Sequence, residues 1–554
     1  MLLGLGIGAM ARADQFDQLC AGCHGDQQHG GKGGSLLGAL KHGDDRPALV
    51  RSVRDGFPAT GMPAFKQLPE GDIQALVVRI LERRADAPKP APVQPLDQRL
   101  VRKSERHAFR IEALVTDGLA VPWSFDFLPD GRILLTERAG RLRLVAHGKL
   151  QPEPIAGVPP VIEKGEGGLM AVAVHPDHAR NRWIYLTFSD PGDGEHAMTK
   201  IVRAQLEGDR LTRLENVFAL PKAEYPEGFV LFGSRIVFDG DYLFFSVGER
   251  NVQGSAQKLA TPFGKIHRTF HDGKIPPDNP FVGQAGAVGS IWAYGIRNPQ
   301  GLALNPDTHE LWEAEHGPRG GDELNRIEKG RNYGWPAITF GMNYDGSPVS
   351  DRTEAPGMEQ PVRHWTPSIA ASQVAVYTGD KFPGWRRNVF VGSLAQQKLF
   401  RFEMQDGKIV HEELVLSNLG RIRDIKTGPD GLLYLALEQL AGASGWLVRL
   451  VPVEEQLQEG LHAPTGGGRR FPYRRLASVW KPTPTHLPRP AGTRALPHFS
   501  AEKSVGVRNT DAGGLIARIF PSFSDSSRTL IHSGSARNVS NDFFAASTLA
   551  WARK

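Results

Sequence analysis

The residues with the clearest chemical signature are two cysteines and a histidine, in the string Cys20-Ala-Gly-Cys23-His24. This spacing is the attachment pattern of a c-type haem, in which each sulfur bonds to the macrocycle and the histidine gives the iron one axial nitrogen. The alternatives are a zinc half-site and a redox dithiol. Zinc would need further cysteine or histidine ligands at short spacing, and the chain has only 2 cysteines. A dithiol of the thioredoxin type would lie between a strand and a helix, whereas a glycine-rich segment follows here, so the sequence favours haem c.

A haem iron needs a second axial ligand, and the thioether of Met62 lies 38 residues after His24 in the string Gly-Met-Pro. A His/Met pair raises the potential of a haem relative to a bis-His pair, which suits an electron acceptor. A methionine that fills a gap in the core is the alternative. His29 and His42 are competing ligands. We expect Met62 to be the sixth ligand.

Changes in composition divide the chain into five segments. Residues 1–13 are a short apolar run ending in Ala-Arg-Ala, which is typical of the end of a signal peptide. Residues 14–87, with helices predicted before the haem motif and over 73–81, resemble a small all-α class I cytochrome c. Residues 88–107 begin in a proline-rich stretch and are predicted to be a semi-rigid linker. A second domain follows over 108–453, and the Arg-, Pro-, Ser- and Gly-rich tail 454–554 is predicted to be largely disordered.

The second domain repeats one pattern, a turn signal followed by an alternating apolar strand. Such repeats, with few helical stretches between them, indicate a β-propeller in which each sheet has four strands. A β-sandwich would not need so many similar units. The pattern predicts six blades, with strands at 132–137, 183–188, 242–246, 310–313, 388–391 and 432–435.

The second domain also contains a series of distinctive strings. They are GEGGLMAVAVHPD (165–177), YGIRNPQGL (294–302), EHGPRGGDELN (315–325), NYGWP (332–336), PSIAAS (367–372) and GRIRD (420–424). In content and order these strings resemble the soluble quinoprotein aldose/glucose dehydrogenases. The resemblance implies a six-bladed β-propeller that holds pyrroloquinoline quinone (PQQ) and calcium.

PQQ is a flat tricarboxylate quinone, so its site needs cations for the carboxylates and a flat partner for the rings. An arginine offers a planar fork of donors for such groups. Two arginines at 421 and 423 alternate by two, which directs both side chains to one face of a strand, although a solvated strand face is the alternative. The resemblance implies a PQQ pocket formed by Arg297, Asn298, Arg421, Arg423 and Trp365.

Two calcium sites are implied in the same way. Carbonyl oxygens of the glycine-rich turn at Gly317 and Pro318 suit the calcium that contacts the quinone, because Ca²⁺ binds oxygen ligands readily. Glu323 and Tyr333 match a second, structural calcium, held by a carboxylate and a backbone carbonyl.

The catalytic residues of the family match less well than the cofactor pocket. Leu231 stands where the family has the histidine that takes the proton from the sugar, and loss of a general base typically costs about 10²–10⁴-fold in rate. Ala395 stands at the position of a pocket lysine. The catalytic base is therefore unknown from the sequence, and Glu166 and Glu249 are possible substitutes. His267 and His316 are further candidates.

Charge and composition limit the partners. The net charge of +6 comes from the tail, which has 14 Lys/Arg and 7 Asp/Glu from Glu454 onward, so the folded part shows no basic patch for nucleic acid. No apolar run is long enough to span a bilayer. The apolar leader and the haem motif together predict a soluble periplasmic protein.

These features predict a quinohaemoprotein oxidoreductase. An aldose sugar, or a related alcohol or aldehyde, would be oxidised at PQQ, and the electrons would pass to the covalently bound haem c and then to a cytochrome or respiratory-chain acceptor. The alternative is a catalytically weak PQQ- or sugar-binding propeller joined to an electron-transfer cytochrome, because of Leu231. A propeller hydrolase of the lactonase type is a third possibility, but the sequence shows no ring of carboxylates for its metal.

Overall fold

The structure is a computed structural model that describes residues 15–85, 96–252, 254–439 and 444–453. The predicted leader at 1–13, the proline-rich start of the linker and the predicted disordered tail 454–554 lie outside the described residues.

The N-terminal module is built from short helices around a small apolar core. The core contains Phe16, Leu49, Val53, Leu76 and Val77, all at most 4% exposed. The helix predicted over 73–81 is present and extends three residues further at each end. The helices are α1 (Gln15–Leu19), α2 (Ala21–His24), α3 (Arg46–Asp55) and α4 (Glu70–Arg84), with a 3₁₀ turn at Pro58–Thr60. None of the helices in the described ranges has the length and apolar character needed to cross a bilayer.

The described part of the second domain consists of antiparallel strands with one short helix, α5 (His178–Asn181), and 3₁₀ turns at Lys222–Glu224, Ser255–Gln257 and Pro383–Trp385. The strands are β1 (Arg102–Lys103), β2 (Ala108–Val115), β3 (Pro122–Phe127), β4 (Ile133–Glu137), β5 (Arg141–Ala146), β6 (Lys149–Leu150), β7 (Leu169–Val174), β8 (Trp183–Pro191), β9 (Ala197–Glu207), β10 (Arg210–Phe218), β11 (Gly233–Asp239), β12 (Tyr242–Val247), β13 (Lys265–Phe270), β14 (Ile291–Tyr294), β15 (Pro299–Leu304), β16 (Leu311–Glu315), β17 (Asp322–Ile327), β18 (Arg363–Trp365), β19 (Ala371–Val376), β20 (Val389–Ser393), β21 (Lys398–Gln405), β22 (Lys408–Ser417), β23 (Arg421–Thr427), β24 (Leu433–Glu438) and β25 (Trp446–Pro452).

These strands form six sheets arranged as a closed ring. Five sheets use four consecutive strands each, beginning at β3, β7, β11, β15 and β19. The sixth joins β1 and β2 to β23–β25, so strands from the two ends of the domain close the ring. The first strands of neighbouring sheets contact one another all the way around, which places them on the central axis. The predicted six-bladed β-propeller is confirmed, and each predicted turn-plus-strand unit supplies the second strand of one sheet.

The second half of the segment predicted as a linker is part of the propeller. Strand β1 pairs with β2, with Arg102 opposite Phe109. Ser104 closes the turn between them by donating its backbone N–H to the His107 carbonyl at 2.8 Å. Arg106 then forms a two-pronged ion pair with Glu403 at 2.8–3.0 Å. Residues 96–107 are therefore attached to the propeller and do not act as a free spacer.

Candidate active site and haem site

The haem motif lies where a glycine-rich loop packs against the histidine ring. Cys20 directly precedes α2, and His24 ends it. Nδ1 of His24 lies 2.8 Å from the carbonyl oxygen of Gly34, so a proton on Nδ1 leaves Nε2 as the ligand atom. A Cβ on Gly33 would lie only 2.8 Å from Cε1 of the ring. The loop thus orients the imidazole as a haem ligand requires, and Cys20 and Cys23 are not joined in a disulfide.

Met62 is held in a tight reversal of the chain. Its backbone exchanges two hydrogen bonds with Phe57, at 2.9 and 3.2 Å, and the preceding Gly61 has a φ of 91° that favours glycine. The competing histidines are both exposed, and the ring of His42 stacks on Phe57 at 3.9 Å. The surroundings of Met62 fit a ligand held on a rigid loop, and its role as axial ligand remains a prediction.

At the propeller axis, Arg421 and Arg423 lie on one face of β23, as their spacing predicted. Both donate from Nε to the same oxygen of Glu438 on β24, at 3.1 and 2.6 Å. Burial alone would raise the pKa of Glu438, but the two guanidinium groups outweigh it and hold this pKa at about 2. Glu438 is therefore ionised at neutral pH and holds the two guanidinium groups side by side.

Arg297 and Asn298 precede β15 and are anchored by Glu315, which accepts their backbone N–H groups at 2.5 and 3.3 Å. Nη1 of Arg297 donates to the carbonyls of His316 and Gly317, both at 3.0 Å. The side-chain oxygen of Asn298 accepts the Gly233 N–H at 3.1 Å. Its Nδ2 is buried and has no hydrogen-bond partner, so a donor remains available for a ligand.

The positive charges of Arg297, Arg421 and Arg423 all act on His316. Burial first, and then these three charges, lower the pKa of its imidazole to about 3. The Asn298 carbonyl accepts the His316 backbone N–H at 3.1 Å. Three of the five residues predicted for the cofactor pocket thus act electrostatically on one imidazole, and a fourth, Asn298, contacts the backbone of the same residue. Such a concentration of guanidinium groups suits a ligand with several carboxylates.

Two aromatic rings complete this cluster, and sequence reasoning did not single them out. Trp335 lies 5.3 Å from the Arg297 guanidinium and Trp123 lies 4.4 Å from that of Arg423, which are cation–π distances. The predicted pocket residue Trp365 is not brought to the cluster. Its ring is 5% exposed and packs against Phe400 and Phe402 between two blades.

The residues predicted to bind calcium lie close to this cluster. A cavity of about 10 Å³, the size of a single water or ion, is lined by Glu315, Glu323, Tyr333 and Gly317 among others. Burial raises the pKa of Glu323 well above its usual value, and the neighbouring carboxylate of Glu315 raises it further. Buried carboxylates this close together favour a bound cation. Within the described ranges, however, no group of three or more His, Cys, Asp or Glu is arranged as a metal site, so backbone oxygens would have to complete the ligand set.

Leu231 is buried, and its backbone N–H donates to Oε2 of Glu166 at 2.8 Å. A carboxylate on an exposed residue thus lies beside the position of the family's base. Glu249, the other predicted substitute, is 4% exposed, and burial raises its pKa. His267 is fully buried between the Ser290 hydroxyl and the Pro262 carbonyl, each at 3.0 Å, so it has no access to a substrate.

The comparisons with known proteins agree with this architecture. Residues 119–449 match the family model for glucose/sorbosone dehydrogenase, and residues 9–78 match the model for cytochrome c oxidase, cbb3-type, subunit III. The aldose sugar dehydrogenase YliI of Escherichia coli is 42% identical over 347 residues, which cover 61% of this chain and 92% of that protein.

Solved structures give the same result. A crystal structure of a glucose dehydrogenase is 44% identical, with a TM-score of 0.58, over 61% of this chain and 98% of that one. The PQQ-bound aldose sugar dehydrogenase of Streptomyces coelicolor is 26% identical, with a TM-score of 0.51, over 62% of this chain and 98% of that one.

The fold and the arginine cluster define a β-propeller oxidoreductase that carries an N-terminal cytochrome c module. The chain belongs to the glucose/sorbosone dehydrogenase family. It is therefore an enzyme of the PQQ-dependent sugar dehydrogenase type.

Proposed function

We propose that this protein is a periplasmic quinohaemoprotein that oxidises an aldose sugar at PQQ and passes the electrons to its own haem c. The proposal is carried by the pairing of Arg421 and Arg423 on one oxygen of Glu438 and by the contact of Arg297 with the His316 carbonyl, with all three charges acting on the His316 ring. A neutral substrate does not require three guanidinium groups in one place, whereas the three carboxylates of PQQ do.

The residues of the cluster have distinct tasks toward PQQ. Arg421 and Arg423 would hold its carboxylates, with Glu438 fixing the two guanidinium groups on one side. Arg297 and the unpartnered Nδ2 of Asn298 would stabilise negative charge on the quinone oxygens. When bound, PQQ supplies a two-electron acceptor and calcium supplies a Lewis acid that polarises it.

Calcium would bind at two places. The turn at Gly317 and Pro318 offers carbonyl oxygens beside the Arg297 guanidinium. Glu323, next to the small cavity, would hold the second ion together with the Tyr333 carbonyl. The pairing of the buried Glu315 and Glu323 on adjacent strands supports this assignment, because a divalent cation would offset the repulsion between the two carboxylates.

Glu166 is the residue we propose as the catalytic base. Its carboxylate accepts the Leu231 N–H at 2.8 Å and belongs to an exposed residue, whereas Glu249 is 4% exposed and cannot easily reach a substrate. Glu166 would accept the proton of the sugar hydroxyl as hydride leaves the anomeric carbon.

The electron balance requires an external acceptor. Oxidation of an aldose to its lactone releases two electrons and two protons. Because a haem iron accepts a single electron, two transfers to the cytochrome module and two onward transfers to a one-electron acceptor balance each sugar oxidised. A cytochrome or another respiratory-chain component would serve as that acceptor.

PQQ titration of the full-length, haem-loaded protein in Ca²⁺ tests the proposal, with quenching of tryptophan fluorescence as the readout. Arg423→Ala should weaken PQQ binding by about tenfold or more, since a charge-assisted contact is lost. Arg449→Ala is the matched control, because Arg449 lies in the same sheet but pairs with Glu112 and Asp430. Reduction of the haem by aldoses should require PQQ. Equal PQQ affinity of the two variants, or no PQQ binding, would refute the proposal.

A further inference from the structure

Helix α4 of the cytochrome module has two buried faces. Ile73, Leu76, Val77 and Ile80 pack into the core of the module. Gly71, Ala75, Val78 and Glu82 recur at spacings of four, three and four residues, which places them together on the opposite face of the helix. A helix at the edge of a small domain needs one apolar face, so the second face calls for a partner.

The propeller supplies that partner. Ala75 and Val78 form an apolar cluster with Met342, and Val78 and Met342 are at most 2% exposed. At Gly71 the two parts approach so closely that a Cβ would lie 2.4 Å from Oδ1 of Asp351. A side chain at position 71 would therefore have to displace Asp351 and Pro348.

Charged groups flank the apolar centre on both sides. Glu82 and Arg319 form a two-pronged ion pair, with both N–O distances 2.9 Å. Arg46 donates to the Phe340 carbonyl at 2.7 Å, and its guanidinium lies 5.4 Å from the Phe340 ring. An apolar centre with a charged rim is the anatomy of a specific protein interface.

The contact lies on the turn that carries the proposed quinone calcium ligands. Arg319 directly follows Pro318, and its carbonyl accepts the Met342 N–H at 3.3 Å. Gly321 of the same turn donates to the Trp365 carbonyl at 2.7 Å, and the hydroxyl of the next residue, Thr366, accepts from Arg46 at 3.3 Å. The module thus rests against the rim of the candidate site.

We propose that Gly71, Ala75, Val78 and Glu82, together with Arg46, form a docking face that seats the cytochrome module in one fixed position on the 317–342 segment of the propeller. The cytochrome module is then docked beside the active site, and it does not move freely on its linker. The redox meaning of this position rests on the proposed function, but the docking itself does not.

Thiol labelling of the full-length, haem-loaded, PQQ-free protein tests the docking face. Met342→Cys places a thiol at the buried centre, and Tyr344→Cys, at a residue that is 62% exposed, is the control. Mass mapping of the labelled peptides separates the new thiol from the haem cysteines. The thiol at 342 should react with a maleimide about tenfold or more slowly than the thiol at 344.

Charge reversal then opens the interface. In the Met342→Cys background, Glu82→Arg places two like charges together and should raise the labelling rate about tenfold. Arg319→Glu should also raise the labelling rate about tenfold. Because Arg319 belongs to the propeller, this change leaves the fold of the cytochrome module intact. The double swap should restore protection, and Arg51→Glu, at an exposed position of α3, should change nothing.

Fast labelling at 342 in the unaltered background, or no response to either reversal, would overturn the docking face. Protection that responds to the reversals would support it even in a protein that binds no PQQ, so the failure of the proposed function would be recognised separately.

Discussion

At the scale of single residues, the most informative position is Leu231. Its φ of 55° lies in the left-handed region, where leucine is uncommon and histidine is several-fold enriched among non-glycine residues. The backbone at 231 therefore still has the conformation that a histidine would tolerate well. The nearest carboxylate, Glu166, is held by that same backbone through the Leu231 N–H.

Removal of the Glu166 carboxylate tests its role as base. Glu166→Gln keeps an oxygen that can accept the Leu231 N–H, so the local fold should be retained. Turnover should fall by about 10²–10⁴-fold, the usual effect of losing a general base. The measurement is steady-state oxidation of aldoses by the PQQ- and Ca²⁺-loaded enzyme, with Glu163→Gln at a neighbouring exposed residue as control.

Adding Leu231→His to Glu166→Gln should recover part of the lost rate, since it supplies a base at the position where the family has one. Unchanged turnover in Glu166→Gln alone would remove Glu166 from the mechanism. If the double variant turns over no faster than Glu166→Gln alone, a histidine at position 231 does not replace the lost base.

At the scale of elements, the glycine-rich loop after the haem motif shapes the iron ligand. Gly33→Ala would place a methyl group 2.8 Å from the His24 ring and should displace it. Gly34→Ala is the matched control, because a Cβ there meets nothing within 4 Å. Haem spectra of the reduced protein should show a smaller low-spin fraction for Gly33→Ala only. Identical spectra for both variants would contradict the assigned role of the loop.

Strand β13 carries a histidine that makes the stability depend on pH. Burial lowers the pKa of His267 to about 3, from 6.5 in the unfolded chain. Between these values the unfolded chain binds more protons, so the free energy of unfolding falls as the pH falls, by on the order of 2 kcal/mol between pH 7 and pH 4.5. His267→Gln should flatten this dependence in denaturant unfolding followed by tryptophan fluorescence. His147→Asn, at an exposed residue, should not, and equal slopes in both would be evidence against the buried neutral imidazole.

What the sequence predicts at this scale is what local patterns encode. Turn signals and alternation located the second strand of each of the six sheets. Hairpin pairing across the turn at 428–431 places Glu438 opposite Arg421, so the sequence could also have predicted that contact. The contact of Trp335 with Arg297 lies within one blade and its entry loop, and the contact of Glu166 with Leu231 joins the entry loops of two neighbouring blades. Both depend on how the loops fold over the ends of the strands, and no local pattern reports that.

At the scale of the whole molecule, two sets of contacts position the cytochrome module on the propeller. Strands β1 and β2 close the propeller, which anchors residues 96–107 beside β22 and β25. The second face of α4 then seats the module on the 317–342 segment. The consecutive apolar residues at 75–78 were the sequence signal for this face, because one buried face of a helix does not use all four.

A seated module and a tethered module respond differently to a change of linker. Replacing the prolines at 88, 90, 92 and 95 with glycine and serine should turn the predicted semi-rigid spacer into a flexible segment of equal length. For a tethered module, the rate of haem reduction after mixing with sugar would follow the effective concentration set by the linker. For a module seated by its docking face, stopped-flow haem reduction should stay within about twofold of the unaltered protein. The same replacement combined with Glu82→Arg should slow haem reduction well beyond twofold, because the undocked module then meets the active site only at the effective concentration that the linker allows. A marked change from the linker replacement alone would show that the tether governs electron transfer.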